Sequence, residues 1–322
     1  MKHVHPAFQK MYETGIIPAV VIHDENDAPA LAKAMIDGGI PVAEVTFRTP
    51  AAAKAISKMK ETCPEMLVGA GTILTVDQAA LAIQAGAEFL VAPGLNPEVV
   101  QFAAKNHIPM IPGVSTASEI ETALNLGLQI CKFFPAEPYG GLKTIKAFGG
   151  PYKTMTYLPT GGINLSNMNE YLHSDLVFAV GGTWMVPQAL IQNHKFDEIQ
   201  QLCHEAVVKM LDLHLVHFAV NACQETALKD AQALADLFQT NVRKIDAGYF
   251  AGDIVEILGK VKIGTYGHIA IGTPNVERAM AFYTHKGYRF DASSIKTNQD
   301  GKITLVYFQD EIAGFKFHLI QD

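Results

Sequence analysis

The chain has 322 residues, of which 49% are hydrophobic and 18% are charged, a balance typical of a globular protein with a sizeable core. Its formal net charge of −7 argues against a nucleic-acid partner, because a basic excess would be needed to neutralise phosphates. We expect neither membrane insertion nor secretion, since the sequence has no apolar run of about 18 residues and Met1–Lys10 lacks an apolar signal core. The four scattered cysteines form no CxxC pair, which favours reduced thiols and a cytoplasmic location.

Short apolar runs alternate with helical patterns through the first two thirds of the chain. The eight predicted strands are Ile16–His23, Pro41–Arg48, Met66–Thr72, Phe89–Pro93, Pro109–Val114, Gln129–Phe134, Thr156–Thr160 and Val177–Val180. This alternation predicts an α/β fold with a parallel sheet covered by helices. Eight units favour a closed (β/α)8 TIM barrel, although about 200 residues is near the lower limit for that fold. A doubly wound open sheet is the alternative, but no GxGxxG fingerprint opens the first unit.

The pattern changes after the last long helical stretch, which begins at Phe196 and ends near Leu213. We therefore predict two domains, 1–213 and 214–322. Within the second domain, His217–Ala222 resembles His268–Thr273, and Ala251–Glu256 resembles Ala313–His318. A tandem duplication of strand–helix–strand units predicts a smaller α+β domain.

Lys132 interrupts an otherwise apolar predicted strand, where an ammonium group is costly to bury without a partner. Burial favours the neutral amine, which is a nucleophile toward ketones and can form a Schiff base. The alternative is a lysine at the end of the strand whose ammonium group reaches water.

Glu44 and Arg48 lie in one predicted strand, in which positions 44, 46 and 48 share a face. Both side chains would then point into the barrel. A carboxylate there could move a proton close to a Schiff base, and a guanidinium could bind a substrate carboxylate through two hydrogen bonds. A structural ion pair between Glu44 and Arg48 is the alternative.

The ends of four other predicted strands complete the candidate site. Thr72 ends the third strand with a hydroxyl group, whereas Pro93 ends the fourth and is more consistent with a wall of the site. The seventh strand ends in Thr160-Gly161-Gly162 and the eighth in Gly181-Gly182-Thr183. Paired glycines let an anion approach the backbone, and these two loops are the usual phosphate site of such barrels. Tight turns without a ligand are the alternative.

With these residues assembled, the first 210 or so residues resemble the 2-keto-3-deoxy-6-phosphogluconate (KDPG) aldolase family, whose members often also act on 4-hydroxy-2-oxoglutarate (KHG). The matching blocks, in chain order, are Glu44–Thr49, Gly69–Thr72, Pro93-Gly94, Ile111–Gly113, Lys132–Glu137, Pro159–Ile163 and Gly181–Trp184. Their order and spacing span the whole predicted barrel, which makes the resemblance specific.

The resemblance implies a role for each candidate residue. Lys132 would be the Schiff-base lysine and Glu44 the general acid and base. The substrate contacts that it implies are Arg48 and Thr72 at the pyruvate carboxylate, Phe134 and Thr160 near the substrate, and Gly161, Gly162, Gly182 and Thr183 around the phosphate. The family often has serine where this chain has Thr183, and the hydroxyl group is retained. The resemblance also implies a homotrimer that needs no metal or other cofactor.

Several substrates remain open at this point. KDPG would give pyruvate and glyceraldehyde 3-phosphate, and KHG would give pyruvate and glyoxylate. The epimeric 6-phosphogalactonate compound is a third possibility, and Thr160 is a candidate determinant of the choice.

The second domain resembles, more weakly, the vicinal-oxygen-chelate (glyoxalase-type) fold, with a first unit that looks one strand short. In that fold the first and last strands of each unit supply metal ligands. The corresponding residues are His217, Glu256, His268 and His318. Three imidazoles and one carboxylate would suit Zn, Ni, Mn or Fe(II). The alternatives are a small-molecule sensor or an oligomerisation module without metal.

Overall fold

The computed structural model describes residues 5–322, which divide into two compact units, one ending at Met210 and the other comprising Leu211–Asp322. The first unit alternates strands and helices. Its strands are β1 Ile16–Val20, β2 Val42–Thr46, β3 Leu67–Gly71, β4 Leu90–Val91, β5 Met110–Ile111, β6 Gly113–Val114, β7 Ile130–Phe133, β8 Thr156–Pro159 and β9 Val180–Gly182.

Ten helices accompany these strands. They are α1 Pro6–Thr14, α2 Ala28–Asp37, α3 Ala52–Thr62, α4 Val76–Gln84, α5 Pro97–Lys105, α6 Ala117–Asn125, α7 Gly141–Phe148, α8 Met168–Leu172, α9 Gln188–Gln192 and α10 Phe196–Leu211. Local sequence determines where two of these helices begin. Thr116 and Glu119 form a reciprocal capping box at the N-terminus of α6, and Asn96 caps α5 ahead of Pro97. Within residues 5–322, none of the helices is long and apolar enough to cross a membrane.

The strands of the first unit close into a ring. One parallel sheet has the order β5-β4-β3-β2-β1-β9 and another has the order β6-β7-β8. β5 and β6 are separated by Pro112 alone, which has no N–H to donate to a ladder but accepts a bond from the Lys132 N–H at 2.8 Å. Parallel bridges from Tyr157 to Val177 and from Thr160 to Gly181 complete the circuit. The predicted TIM-barrel fold is confirmed, and the open-sheet alternative is wrong.

The two ends of the barrel differ in chemistry. Its N-terminal end is filled by an apolar cluster that includes Met11 and Tyr12 of α1 together with Ile17, Val42 and Leu67 from the first halves of the strands. The buried polar side chains of the barrel strands lie further along. They are Glu44, Thr46 and Lys132, followed by Thr160 just beyond β8; Thr156, at the start of β8, is the exception. This division leaves the C-terminal ends of the strands for chemistry, as in other barrels of this type.

Most strands are shorter than the sequence pattern suggested. β2 ends at Thr46, where the Arg48 N–H turns back onto the Thr46 carbonyl at 2.8 Å, so Arg48 lies in a turn instead of the strand. β3 ends before Thr72, whose φ of 60° is left-handed. The eighth barrel strand, β9, begins at Val180 and not at Val177.

The second unit is a single sheet built from two consecutive β-α-β-β-β halves. Its elements are β10 His214–Asn221, α11 Ala227–Phe238, β11 Val242–Lys244, β12 Gly248–Ala251, β13 Val255–Leu258, β14 Gly267–Thr273, α12 Val276–His285, β15 Lys296–Thr297, β16 Ile303–Tyr307 and β17 Phe315–Gln321. The sheet order is β11-β12-β13-β10-β14-β17-β16-β15, with β10 and β14 antiparallel at its centre. Both halves have four strands, so the expectation of a missing strand is wrong. β11 is only three residues long and two of them are charged, which made it resemble a loop.

Alternation along the strands separates the two faces of this sheet. Ala227, Ala231 and Ala235 recur every four residues on α11, and these small side chains let the helix pack closely on Val255 and Ile257. Neighbours of those strand residues, such as Glu256, therefore point to the opposite face.

Candidate functional site

Lys132 and Glu44 form a buried pair inside the barrel. Lys132 Nζ lies 3.2 Å from Glu44 Oε1 and 3.4 Å from Oε2. The residues are 6% and 1% exposed, and Lys132 is the only buried lysine among residues 5–322. The amine therefore has an acidic partner and does not reach out to water. A proton can pass directly between these two groups.

Glycine makes room for the carboxylate. A Cβ on Gly71 of β3 would lie 2.6 Å from Cγ of Glu44, far inside ordinary contact. Gly71 stands beside Thr46 in the parallel register of β2 and β3, one residue before Thr72. Gly71 therefore leaves the space that the Glu44 side chain occupies.

Arg48 and Thr72 meet beyond the ends of β2 and β3. Arg48 Nε donates to Thr72 Oγ1 at 3.3 Å. Arg48 is exposed and Thr72 is half-buried, so this pair lies near solvent. The predicted alternative of a Glu44–Arg48 ion pair is wrong, because the carboxylate pairs with Lys132 instead.

The loops after β7 and β8 are joined through their backbones. Ala136 N–H donates to the Thr160 carbonyl at 2.8 Å and Glu137 N–H to the Gly161 carbonyl at 3.0 Å. Gly161 and Gly162 have φ values of 97° and 87°, a conformation that favours glycine. Thr160 Oγ1 is buried and has no hydrogen-bond partner among the described residues. An unpartnered buried hydroxyl at this end of the barrel is available to a ligand.

Gly182 and Thr183 lie at the end of β9. A Cβ on Gly182 would collide with the indole ring of Trp184, so this glycine is required for packing. Thr183 is exposed, and its hydroxyl can be changed without disturbing that contact. Pro93 packs at the end of β4, where a Cβ on Gly113 would reach its carbonyl carbon.

Two neighbours of Lys132 define its surroundings. The ring centroid of Phe134 lies 5.5 Å from Lys132 Nζ, so the ring forms an apolar wall beside the amine. Burial raises the pKa of the Cys131 thiol to about 12, which keeps it protonated and a poor nucleophile. The amine is therefore the nucleophile that this strand offers.

Comparison with known proteins identifies the family of this chain. Residues 8–202 match the model of the family described as KDPG and KHG aldolase. The chain is 44% identical over 200 residues to a 2-dehydro-3-deoxy-phosphogluconate aldolase of Treponema pallidum, covering 62% of this chain and 95% of the relative. It is 39% identical over 208 residues to the KHG/KDPG aldolase of Escherichia coli K12, covering 64% and 98%. The chain belongs to the KDPG and KHG aldolase family.

Solved structures of the aldolase family agree with the fold of the first unit. A KDPG aldolase from Legionella pneumophila, with pyruvate captured as a covalent carbinolamine intermediate, matches with a TM-score of 0.61 and 40% identity. That match covers 63% of this chain and 98% of the other. A Zymomonas mobilis KDPG aldolase with 3-phosphoglycerate matches with a TM-score of 0.59 and 37% identity, covering 63% and 96%. The family implied by the sequence blocks is confirmed. The family match ends at residue 202, before the second unit begins.

The second unit brings four of the predicted residues together on one sheet face. His217 Nε2 lies 3.1 Å from His268 Nε2, and Glu256 Oε2 lies 3.2 Å from His268 and 3.8 Å from His217. The ring centroid of His318 lies 5.1 Å from that of His268. One nitrogen of each histidine lies within 4.8 Å of the others, a spacing that a single metal ion could bridge.

Several side-chain nitrogens of the cluster histidines lack a hydrogen-bond partner in the described part of the chain. Within residues 5–322, neither nitrogen of His318 has a hydrogen-bond partner, and His268 Nδ1 has none. Burial, with the neighbouring His268 and His217, lowers the pKa of His318 to about 3. Burial, followed by the His268 charge, also lowers the pKa of His217, against the opposing effect of Glu256. The imidazoles of His318 and His217 are therefore neutral at pH 7, the form that binds metals.

Proposed function

We propose that this chain is a class I aldolase that cleaves KDPG to pyruvate and glyceraldehyde 3-phosphate through a Schiff base on Lys132. The observation that carries the proposal is the buried Lys132–Glu44 pair, 3.2 Å apart, inside the barrel of a chain from this family. The names of the relatives support the substrate. The carbinolamine named for the Legionella enzyme supports the covalent route.

The proposed mechanism begins when Lys132 adds to the C2 ketone and water leaves, giving a protonated imine. Glu44, through a water molecule, accepts the proton of the C4 hydroxyl as the C3–C4 bond breaks. The electrons of that bond move into the imine, which becomes an enamine, and the aldehyde departs. The enamine takes a proton at C3, and water then releases pyruvate from Lys132. The protonated imine is the electron sink, so this route requires no metal.

Binding roles follow from the positions of the remaining residues. Arg48 and Thr72, paired at 3.3 Å, are placed to bind the pyruvate carboxylate, with Phe134 as a wall. The loops containing Gly161 and Gly162, and Gly182 and Thr183, are proposed to hold the phosphate. Thr160, with its free buried hydroxyl, is our candidate for distinguishing KDPG from its galactonate epimer. Cleavage of KHG to pyruvate and glyoxylate would use the same lysine without the phosphate contacts.

Borohydride trapping with pyruvate, followed by peptide mapping, tests the nucleophile. We expect added mass on the peptide that contains Lys132, and loss of most activity in Lys132→Ala. Lys132→Arg should not restore activity, because a guanidinium remains protonated. Lys143→Ala, an exposed lysine of α7, is the control and should react normally. Mass added at another lysine would overturn the proposal.

The family resemblance also suggests a homotrimer in the cytoplasm. Cys63, Cys131, Cys203 and Cys223 are all free thiols, in keeping with a reducing compartment. Sedimentation velocity of the full chain should give three times the chain mass of 34.9 kDa. A monomer would contradict the trimer, and recovery of the native protein outside the cytoplasm would contradict the location.

A second function, metal binding by the second unit, is favoured by the cluster of His217, Glu256, His268 and His318. The nitrogens of His318 and His268 without hydrogen-bond partners, and the spacing of the three histidines within 4.8 Å, fit a divalent ion of the Zn, Ni, Mn or Fe(II) class. Such an ion would supply Lewis acidity to a bound ligand. The four side chains would hold it, and the aldolase would not depend on it.

Elemental analysis of the full chain tests this second function. After expression in metal-supplemented medium, we expect one metal per chain, lost in His217→Ala. His214→Ala is a matched control, because His214 lies on the same strand but pairs with Asp322 at 3.4 Å, outside the cluster. Substoichiometric metal that His217→Ala leaves unchanged would end the proposal. Aldolase activity should persist under chelation in both cases.

A further inference from the structure

The face of the sheet that carries the histidine cluster has aromatic walls. Phe250 of β12 pairs in register with Glu256, and its ring meets His217 edge-on at 5.5 Å. Tyr307 of β16 pairs in register with His318, and the two ring centroids are 4.6 Å apart. The two halves of the unit therefore place an aromatic ring at the same position beside a cluster residue. A small ligand over the cluster would lie between these rings.

Positive charge flanks both walls. Arg243 of β11 stands opposite Phe250 in the register, with its guanidinium carbon 4.8 Å from the ring centroid. On the other side, Lys296 of β15 pairs with Leu305 of β16, two residues before Tyr307. Neighbouring strands lie about 4.8 Å apart, so β11 and β15 each lie about 10 Å from the nearest strand of the cluster. The long side chains of Arg243 and Lys296 can span that distance. The guanidinium of Arg243 lies over the Phe250 ring, on the face of the sheet that carries the cluster.

The sum of charges on this face favours an anion. The charge of a divalent ion would exceed the single negative charge of the Glu256 carboxylate. Arg243 and Lys296 add two further positive charges. Asp253 opposes Arg243 at 3.8 Å, but its side chain is 98% exposed and the pair is worth little in water. Arg243 itself is 58% exposed and free to turn toward a ligand. Its planar group matches a carboxylate better than any other donor.

We propose that this face binds a small carboxylate, with Arg243 as the residue that selects for the negative charge. The proposal rests on the metal centre proposed above, since the cluster would hold the ion against which the ligand sits. Lys296 adds to the attraction from the opposite wall.

The test uses the full chain loaded with Mn²⁺ and two probes of equal size, glycolate and the neutral glycolamide. Neither probe has a ketone, so neither forms an imine with Lys132. Broadening of the methylene proton signal by Mn²⁺, relative to Zn²⁺-loaded protein, reports binding near the ion. We expect glycolate to bind at least about tenfold more tightly than glycolamide, the effect of one charge-assisted contact.

Variants separate the ligand proposal from the metal proposal. Arg243→Met should lower glycolate affinity about tenfold and remove most of the discrimination against glycolamide, with metal content unchanged. Lys244→Met is the matched control, since it removes an exposed charge one residue away on the other face of β11 and should change nothing. Full metal content with equal binding of both probes, or an unaffected Arg243→Met, would overturn the carboxylate proposal alone. Absence of metal would overturn both.

Discussion

Gly71→Ala tests whether the exact position of the Glu44 carboxylate matters for catalysis. The added Cβ would lie 2.6 Å from Glu44 Cγ, whereas carbon atoms normally approach to about 3.5–4.0 Å, so the Glu44 side chain must move by about 1 Å. That shift would lengthen the 3.2 Å contact with Lys132. A misplacement of about 1 Å can cost on the order of 10²-fold in rate, and we expect a fall in kcat of that size. The backbone of Gly71 is not left-handed, so alanine adds no conformational strain there.

The assay is steady-state cleavage of KDPG, with aldehyde release coupled to a dehydrogenase. Gly94→Ala is the control: it lies at the end of β4, and its Cβ would meet nothing within 4 Å, so its kcat should stay near that of the unmodified chain. Unfolding temperatures of the two variants show whether the loss comes from misfolding. A stable Gly71→Ala protein with unchanged kcat would refute the steric argument and the proposed role of Glu44 together.

Four other predictions concern single side chains. Glu44→Gln should slow imine formation and lower kcat on the order of 10²–10⁴-fold, and a change below about threefold would reassign the base. Arg48→Ala should raise KM for KDPG and KHG alike, whereas a rise for KDPG alone would place Arg48 at the phosphate. Thr183→Val should raise KM for KDPG but leave KHG nearly unaffected, and equal losses would point to a structural role. His318→Ala should abolish metal binding, measured by elemental analysis, without lowering aldolase activity; retained metal would remove His318 from the ligand set.

The barrel could be predicted from the sequence because its strands are nearly continuous apolar runs, a pattern that few other folds share. Lys132 was noticeable as a lysine inside such a run, but only the family resemblance favoured a Schiff base over a lysine that reaches water at the end of the strand. The strand ends were less predictable. They depend on backbone turns such as the one at Arg48, which are set by hydrogen bonds instead of side-chain polarity.

Close steric relations could not be read from the sequence. The dependence of Glu44 on Gly71 involves two neighbouring strands, and the contact of Gly182 with Trp184 gives a packing role to a glycine that is also proposed to lie at the phosphate. The sequence predicted that Glu44 acts close to the Schiff-base lysine, but their direct contact could not be read from it, because Lys132 is distant in the chain and close only in the barrel. In the second unit, the internal repeat correctly aligned four residues that now lie on one face, although their metal remains a prediction.

The antiparallel pairing of β10 with β14 has a consequence for how the second unit could have arisen. Each half supplies two members of the cluster, His217 and Glu256 from the first and His268 and His318 from the second. A single ancestral half would therefore have carried only two of the four cluster residues. The full set would have formed only when two copies paired through the strands that correspond to β10 and β14. Within the cluster, the present halves differ at one position, where the first half has Glu256 and the second has His318. The two halves are therefore no longer interchangeable. Two copies of the second half would assemble four imidazoles with no carboxylate, and would favour a different ion from the one proposed for this chain.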